Sequence, residues 1–583
     1  MLARRLAMPV LAADLLVLVL TIWLLWPQHA GGYGLGHDMV FTPHQPLNAD
    51  SVGLGSGSPR AVPLDALVAI AGKLFGGMLT GRIALLVPLL AAGWGSSRLL
   101  RLVCPAATTP ALLATGSLAV WNPYLVERLA LGQWALLWAY GALPWLVRAG
   151  YRIARADGAA VPARDWAGLV CWLAVSAITP TGALIGAAVV VTVAWTVRAF
   201  GRTVTVVVAA GLAQLPWLLP ALLSSAAATS DPRAVAAFAA RAERPGGPLL
   251  SLLGLGGIWT ADVTPASRAG VLGYLSTLLA LLVLVAGIPL LRPLALRRRL
   301  VALGLVGLLL AAAGSLPGLS GVLRWTVREL PGAGLLRDGQ KWLMPFVLLV
   351  VLGAGLATDR LLRLLRSRVG RLAVLLGVAA AVLPLLLLPD APATLRVPLT
   401  PVHYPADWAT VADTVRGSSA AVLVLPFSSY RSFDWAPGRT VIDPAPRLLP
   451  APTVVDDRLV VSGTVLAGED PVAAAVGVQL NYNPTGAAGL GGLGIGWVLV
   501  ETDTAGPPLP NLTGLKPVFS GSALRLYRVP GQVRLTQRAA ATRWLVIGTD
   551  LLVAGLVVLA LLTAGMSRLT ARISRFRRRP DRR

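Results

Sequence analysis

The chain is poor in charge and in cysteine. Charged residues make up only 13% of its 583 residues, whereas hydrophobic residues make up 56%. A soluble globule of this length does not need so large an apolar share to fill its core, so the composition excludes that class and indicates a polytopic membrane protein. Cys104 and Cys171 have no spacing typical of a metal or redox motif, which argues against a disulfide framework.

Two common signatures of soluble enzymes are also missing. The sequence has no glycine-rich phosphate loop ending in Lys-Ser or Lys-Thr and no nucleophile elbow. Nucleotide-driven chemistry is therefore not expected. The net charge of +25 comes mainly from arginine. In a membrane protein this excess is typical of cytoplasmic loops that face anionic lipid, and we expect no nucleic-acid partner.

Long apolar runs are abundant, and many approach the length of about 17 to 25 residues that crosses a bilayer. The first is long enough to span and has no clear cleavage site, so we interpret it as a retained helix rather than a signal peptide. The sequence predicts about twelve spans, near residues 8–26, 82–97, 107–122, 131–147, 165–179, 181–197, 203–222, 270–291, 300–316, 342–358, 372–388 and 543–565.

Arginine clusters occur in every second connection between these predicted spans. They begin with Arg4 and Arg5 and end with the tail from Arg568 to Arg583. This alternation follows the positive-inside rule. It predicts a multi-pass protein of the plasma (inner) membrane with both termini in the cytoplasm and with long outer loops at residues 28–82 and 223–269.

The composition changes after residue 388. Apolar runs shorten to strand length and are separated by Pro, Gly and Asp turns, as in Ala420–Pro426 and in residues 496–501. The sequence therefore predicts a transmembrane domain of about eleven helices over residues 1–388, an extracytoplasmic α/β or α+β domain over 389–541, and a last transmembrane helix with a basic cytoplasmic tail over 542–583.

The first outer loop holds an unusual group of polar residues. Between positions 37 and 50 it places His37, Asp38, His44 and Asp50, in a chain with only 4 histidines. A carboxylate near the outer membrane face can act as a general base toward a sugar hydroxyl, so we predict that Asp38 is the catalytic base. The other three residues are predicted to bind substrate. All four are ligand types for a divalent metal, which is left open as a cofactor, but their spacing fits no named metal site.

Cations predicted on the same side of the membrane can hold the phosphate of a lipid-linked sugar donor, because guanidinium groups suit phosphate oxygens. The predicted phosphate-binding residues are Arg128, Arg337 and Lys341. The remaining predicted substrate-binding residues are Glu127, Gln133, Asp338 and Gln340. Five of the predicted site residues also have a purely structural interpretation. Asp38 could cap a short helix, and Glu127 and Arg128 could form an ordinary ion pair. Arg337 and Lys341 could anchor a helix at the membrane interface.

A loop predicted in the outer domain collects aromatic and polar residues after a strand. It runs from Pro426 to Trp435. Such a loop suits contact with carbohydrate, and it equally suits packing onto the membrane domain.

These features together resemble a GT-C type glycosyltransferase. They are the basic first helix, the early Asp38 in a long outer loop, the segment Asn122-Pro-Tyr-Leu-Val-Glu-Arg-Leu-Ala-Leu-Gly-Gln-Trp134, about a dozen helices and the late outer domain. The chain is similar to YfhO-like proteins and to the membrane portion of cell-wall arabinofuranosyltransferases of actinobacteria. The resemblance covers the layout of about the first 390 residues and, more loosely, the outer domain.

The resemblance implies transfer of a sugar from a polyprenyl-phosphate donor to an extracytoplasmic glycan or lipid of the cell envelope, usually with inversion, with Asp38 as the base. The family often has two adjacent acids, whereas this chain has His37-Asp38. Two other classes stay open. A flippase or exporter of a lipid-linked glycan would need charged residues inside its helices, where they are scarce. A non-enzymatic assembly protein would use its outer domain for binding alone.

Overall fold

The computed structural model describes residues 2–55, 57–59, 61–156, 160–224, 229–369, 371–482, 489–535 and 539–577. The last part of the predicted basic tail, residues 578–583, lies outside these ranges. The described chain is mainly helical and carries one small sheet domain near its C-terminal end.

The helices before residue 390 form the larger part of the fold. In chain order they are α1 Leu2–Leu24, α2 Leu64–Phe75, α3 Gly77–Val103, α4 Thr109–Val120, α5 Pro123–Ala130, α6 Trp134–Ala154, α7 Ala163–Ser176, α8 Pro180–Ala194, α9 Phe200–Leu212, α10 Leu215–Leu222, α11 Ala234–Ala237, α12 Gly247–Leu253, α13 Val271–Gly287, α14 Leu294–Ala312, α15 Leu319–Glu329, α16 Met344–Val369 and α17 Arg371–Leu387.

Five further helices follow. They are α18 Ala391–Leu399, α19 Asp407–Thr414, α20 Ala445–Leu448, α21 Pro471–Tyr482 and α22 Ala540–Arg577. Helix α22 contains the predicted last span at 543–565. Helix α2 lies within the predicted first outer loop at 28–82.

Among the described residues, four helical segments are long and apolar enough to cross a membrane: Gly77–Val103, Val271–Leu290, Gly339–Leu365 and Ala540–Ser567. Two further pairs qualify if each bent pair is counted as one span. The helices of the first pair, α9 and α10, meet at 55°, and those of the second, the segment Leu375–Leu387 and α18, meet at 52°. The count by length and composition is therefore four to six, against about twelve predicted, because many of the predicted runs form shorter or interrupted helices.

Small residues let the helices approach one another closely. On α3, a Cβ added at Gly93 would lie 2.5 Å from Val17 of α1, and one added at Gly95 would lie 2.5 Å from the indole nitrogen of Trp145 on α6. The same indole donates a hydrogen bond to the carbonyl of Ala91 at 2.9 Å. In lipid there is little hydrophobic driving force for helices to associate, because the lipid tails are as apolar as the side chains. Close van der Waals packing of this kind therefore holds membrane helices together.

Helix α5 is short because its sequence punctuates it at both ends. Asn122 caps the start by accepting a hydrogen bond from the Leu125 amide at 3.0 Å, and Pro123 occupies the first turn, where no amide is needed. Gly132 follows the helix with a φ of 78°. The whole of α5 is buried in the helical core. This burial places its polar side chains in the interior, next to the first outer loop.

Most strands of the described chain are only two or three residues long, and the four longer ones all belong to one sheet. The strands are β1 Leu35–Gly36, β2 Met39–Val40, β3 Ala421–Leu425, β4 Tyr430–Arg431, β5 Val441–Ile442, β6 Thr453–Val454, β7 Leu459–Val461, β8 Thr464–Leu466, β9 Ile495–Glu501, β10 Lys516–Ser520 and β11 Leu524–Arg528. The order in the five-stranded sheet is β10-β11-β9-β3-β6. Strand β3 runs parallel to its two neighbours, β9 and β6. Strand β11 runs antiparallel to its two neighbours, β9 and β10.

Helix α18 packs with the helical part of the chain rather than with the sheet. Its residues Ala391, Leu395 and Leu399 belong to the large core cluster formed by the membrane helices. The predicted boundary after residue 388 falls just before this helix. The chain therefore enters the sheet domain only after α18 has docked beside α5 and β1, which brings the sheet domain close to the first outer loop.

Candidate active site around Asp38

Asp38 lies in a tight hairpin that follows the first helix. Strands β1 and β2 pair antiparallel with Gly36 opposite Met39, so His37 and Asp38 form the turn between them. His37 adopts a φ of 48°, in the left-handed region that histidine visits more often than most residues. The hairpin therefore carries two adjacent polar residues at its tip.

The hairpin tip rests on the turn that ends α5. The amide of Asp38 donates a hydrogen bond to the carbonyl of Leu131 at 3.1 Å. Gly132 makes this approach possible, because a Cβ there would lie 2.4 Å from both the Gly36 carbonyl oxygen and the Met39 amide nitrogen. Two segments that are far apart in sequence are thus in backbone contact at the predicted base.

The side chain of Asp38 is the first member of a chain of hydrogen bonds. Its Oδ2 accepts from Gln133 Nε2 at 3.0 Å, and Gln133 Oε1 accepts from Arg128 Nη1 at 2.6 Å. Arg128 in turn donates to both oxygens of Asp338, at 2.7 and 2.8 Å. Four of the predicted site residues are therefore in direct contact. Arg128 is fully buried, and its guanidinium donates hydrogen bonds to Gln133 and Asp338.

Lys341 completes this network from the 3₁₀ turn Gly339–Leu343, just before α16. Its Nζ lies 3.5 Å from Asp338 Oδ2, and its side chain is 28% exposed, in contrast to the 0% of Arg128. Burial works to raise the pKa of Asp338, but the charges of Arg128 and Lys341 outweigh it and hold that pKa below its ordinary value. Asp338 is thus an ionised carboxylate between the cations Arg128 and Lys341. Of these two cations, only Lys341 is partly exposed.

The second oxygen of the Asp38 carboxylate is held from the sheet domain. Tyr430, the first residue of β4, donates its hydroxyl to Asp38 Oδ1 at 2.7 Å. The sequence places Tyr430 in the aromatic and polar loop from Pro426 to Trp435, but its separation of 392 positions from Asp38 left no local signal for this contact. It was therefore not among the predicted site residues.

A second buried charge network lies on the other side of α5. Glu127 Oε2 accepts from Gln340 Nε2 at 2.7 Å. Close by, Glu243 pairs with Arg268 at 2.9 Å and with Arg244 at 3.3 Å, and all three side chains are fully buried. Burial, followed by the charge of Glu243, raises the pKa of Glu127 well above its ordinary value. The ion pair predicted as the alternative for Glu127 and Arg128 does not form, because each has other partners.

Glu243, Arg244 and Arg268 were not predicted as site residues. The only signal in the sequence is that the outer loop containing them carries opposite charges in close succession, in Arg241-Ala-Glu-Arg244. That pattern is common on solvated surfaces. It did not indicate that the chain folds these charges into the helical core.

The remaining predicted residues lie apart from this group. His44 is exposed, and Asp50 forms the first residue of the short 3₁₀ turn Asp50–Val52. Arg337 is ion-paired with Glu469 of the sheet domain at 2.8 Å, and Glu469 also accepts from Ser230 at 2.6 Å. Arg337 thus ties the sheet domain to the helical part. Its predicted phosphate contact stays a prediction.

The backbone of His37 pairs with the sheet domain. Its amide donates to the Thr440 carbonyl at 3.0 Å, and its carbonyl accepts from the Ile442 amide at 2.8 Å. Burial lowers the pKa of the His37 imidazole, which favours the neutral ring. Within the described ranges, no three His, Cys, Asp or Glu side chains converge on a point that could hold a metal ion.

An apolar crevice begins at the other end of α5. It encloses about 40 Å³ and is partly open between α4, α13, α16 and α17. Pro123, at the start of α5, lines this crevice. Arg128 is five positions further along the same helix, which corresponds to about 7.5 Å. Its lining consists of Leu118, Trp121, Pro123, Gly254, Leu255, Ser276, Leu279, Ala280, Val283, Val350, Pro384, Leu387 and Leu388.

The helical body, with its apolar spans, its polar first loop and its small sheet domain, resembles the GT-C type fold of arabinofuranosyltransferases, and its long apolar helices are typical of a polytopic membrane protein. One solved structure that it matches is that of arabinofuranosyltransferase AftD from mycobacteria. The cryo-EM structure of AftD aligns with a TM-score of 0.57 and 17% sequence identity, over 90% of this chain and 40% of AftD.

Two cryo-EM classes of a single-substitution mutant of AftD match similarly. Their TM-scores are 0.55 and 0.53, with 18% and 16% identity. The present chain spans about two fifths of the length of AftD. No protein-family model and no curated protein matches the sequence. At this identity the likeness establishes the fold alone.

Proposed function

We propose that this protein is a membrane glycosyltransferase that moves a sugar from a polyprenyl-phosphate donor to an extracytoplasmic glycan or lipid of the cell envelope. The observation that carries the proposal is the connected group Asp38, Gln133, Arg128, Asp338 and Lys341, in which a carboxylate and a partly exposed cation are joined through buried hydrogen bonds. A sugar transferase of this class needs a base at the acceptor and a positive charge at the donor phosphate.

In the proposed reaction Asp38 removes the proton from an acceptor hydroxyl. The acceptor oxygen forms a bond to the anomeric carbon of the donor sugar, and the bond from that carbon to the phosphate oxygen breaks with inversion. The departing polyprenyl phosphate carries the electron pair, and Lys341 stabilises its negative charge. Gln133 and Arg128 keep the carboxylate and the cation in register.

The fully buried Arg128 acts in this proposal as a positioning residue, because three of its N–H groups already donate to Gln133 and Asp338. Lys341 is the phosphate ligand, and Glu127 with Gln340 supports the segment that carries it. Arg337 binds the donor phosphate in this proposal only if its ion pair with Glu469 breaks. The roles of His37, His44 and Asp50 in substrate binding remain predictions.

The apolar crevice supports a lipid-linked donor. It is lined almost entirely by hydrophobic side chains and begins at Pro123, the start of the helix that carries Arg128. We therefore propose that the donor chain approaches between α13 and α17.

The test is Asp38→Asn with a lipid-linked donor in reconstituted vesicles. Because AftD is named an arabinofuranosyltransferase, labelled polyprenyl-phosphate arabinofuranose is the first donor, with an oligoarabinoside as acceptor. We expect wild-type transfer and a loss of about 10² to 10⁴-fold in the variant, as for removal of a general base. Asp413→Asn, on an exposed carboxylate, is the matched control and keeps full activity.

Full activity of the Asp38→Asn variant would remove Asp38 from the mechanism. If the wild type binds this donor and transfers nothing to any acceptor, an assembly role replaces the enzyme. If the wild type moves the labelled lipid between leaflets without transfer, the flippase alternative takes its place.

A further inference from the structure

Tyr430 connects the sheet domain to the predicted base. Its hydroxyl donates to Asp38 Oδ1 at 2.7 Å, while Gln133 donates to Oδ2 at 3.0 Å. A carboxylate has about four lone-pair positions, and among the described side chains these two donors occupy two of them. With one donor on each oxygen, the plane of the carboxylate is fixed from both sides.

Backbone pairing sets the position of Tyr430. Strand β4 pairs with β5, with Tyr430 opposite Ile442. The other edge of β5 bonds to the tip of the first-loop hairpin, where the His37 amide donates to Thr440 and the Ile442 amide donates to His37. Tyr430 thus lies on one side of β5, and His37, which precedes Asp38, lies on the other. The backbone hydrogen bonds to β5 fix the distance between Tyr430 and His37.

A buried ion cluster holds β4 in this register. Arg431, the residue after Tyr430, is fully buried and pairs with Asp443 at 2.8 Å and with Glu501 of the central strand β9. The same guanidinium donates to the carbonyl of Pro426 at 2.8 Å. A buried charge without its partners is costly, so this cluster opposes any shift of β4. It fixes the strand to the sheet while Tyr430 extends to the first loop.

We propose that Tyr430 is a positioning residue of the transferase site, which orients the Asp38 carboxylate toward the acceptor hydroxyl and makes the sheet domain part of the active site. This inference rests on the proposed function. It deepens that function by assigning to the sheet domain a direct task in the chemical step.

The experiment compares Tyr430→Phe with Tyr404→Phe in the full chain. Tyr404 is a suitable control because its hydroxyl also crosses to the first loop, where it donates to the Phe41 carbonyl at 3.1 Å without contacting Asp38. Each change removes one hydroxyl and keeps the ring. A merely structural role would make the two variants alike.

The first readout does not need activity. The infrared difference between the wild type and Asp38→Asn identifies the carboxylate band of Asp38. We expect Tyr430→Phe to shift this band, because a hydrogen-bond donor is removed from the carboxylate, and we expect Tyr404→Phe to leave it in place. An unmoved band in Tyr430→Phe overturns the inference, whatever the reaction of the protein proves to be.

The second readout is transfer from polyprenyl-phosphate arabinofuranose. We expect Tyr430→Phe to lower kcat about tenfold or more, as for loss of a hydrogen bond to a charged group, with the donor KM within about twofold. Tyr404→Phe should keep kcat. A shifted band with unchanged kcat also overturns the inference. Absence of transfer in the wild type refutes the proposed function, and the infrared result then still decides whether Tyr430 orients Asp38.

Discussion

Exposure separates the two cations of the candidate site. Arg128 and Lys341 both contact Asp338, but the Arg128 side chain is 0% exposed and that of Lys341 is 28% exposed. A phosphate can reach the second without dismantling the network, whereas it can reach the first only by displacing Asp338 or Gln133. The buried arginine therefore shapes the site and the lysine is available to a ligand.

Lys341→Ala is expected to raise the donor KM about tenfold or more, because it removes a charge-assisted contact to phosphate. Lys341→Arg should recover part of the loss. Steady-state kinetics with polyprenyl-phosphate arabinofuranose measure both. Lys516→Ala, on an exposed strand residue, is the control. An unchanged donor KM in Lys341→Ala would show that the phosphate binds elsewhere.

Asp50 gives a stability prediction that is independent of activity. Burial, followed by the charges of Asp470 and Asp65, raises its pKa from 3.8 to about 6. The folded protein holds this proton more tightly than the unfolded chain, so the stabilising contribution is full below about pH 3.8 and is lost as the pH rises through about 6. Above that range the ionised carboxylate weakens the fold.

We therefore expect Asp50→Asn, which cannot ionise, to raise the Tm at pH 8, by the equivalent of about 3 kcal/mol. The difference from the wild type should vanish near pH 4. Thermal unfolding in detergent, followed by tryptophan fluorescence at both pH values, measures it. Asp413→Asn, on an exposed residue, should change the Tm at neither pH. Equal Tm values for Asp50→Asn and wild type at pH 8 would contradict the prediction.

At the scale of elements, the site depends on how the hairpin β1–β2 meets the end of α5. The contact is close because a backbone, not a side chain, lies at the point of approach: Gly132 faces Gly36 and Met39. Its φ of 78° is also in the region that disfavours side chains. The glycine thus serves both the turn after the helix and the docking of the hairpin.

Gly132→Ala is expected to push the hairpin from α5 and to break the hydrogen bond from Gln133 to Asp38. We expect a fall in kcat of about tenfold or more, together with a loss of stability of about 1 to 3 kcal/mol, while the membrane helices still assemble. Transfer assays and thermal unfolding measure the two effects. Gly168→Ala is the control, because a Cβ there meets nothing within 4 Å. Full activity of Gly132→Ala would separate the hairpin contact from function.

At the scale of the whole molecule, the sheet domain is joined to the helical part at several points around the first loop. Arg337 and Ser230 both contact Glu469, and Arg447 pairs with Asp65 at 3.0 Å. Together with the pairing of His37 with β5, these contacts fix the sheet domain over the hairpin. The candidate site therefore lies where the sheet domain meets the helical part, and Tyr430 reaches Asp38 across this junction.

The arginine alternation predicts the orientation of the whole chain. In a background without Cys104 and Cys171, we expect a cysteine at the exposed Thr513 to react with a membrane-impermeant maleimide in intact cells. A cysteine at the exposed Ala160, in a connection predicted to be cytoplasmic, should react only after the membrane is permeabilised. Labelling of both positions in intact cells, or of Ala160 alone, would refute the predicted topology.

The sequence by itself determined the membrane class, the main helices and the two central strands β3 and β9 of the sheet, because these depend on local quantities: the length of apolar runs, their periodicity and the turn residues between them. It also drew attention to Asp38 and to the segment from Asn122 to Trp134, since polar residues are rare in so apolar a chain. The span count was less certain, because proline and glycine divide several runs into short helices that composition does not distinguish from complete spans.

Only the tertiary structure decided which polar residues meet. It joined Asp38 to Gln133 and Arg128, assigned Arg337 to a contact with Glu469, left His44 apart, and brought in Tyr430, Glu243 and Arg268, which no local pattern indicated. The physical reason is that a hydrogen bond depends on the distance between two atoms, and that distance is set by how helices and strands pack. Spacing along the chain carries no information about a contact between residues 392 positions apart.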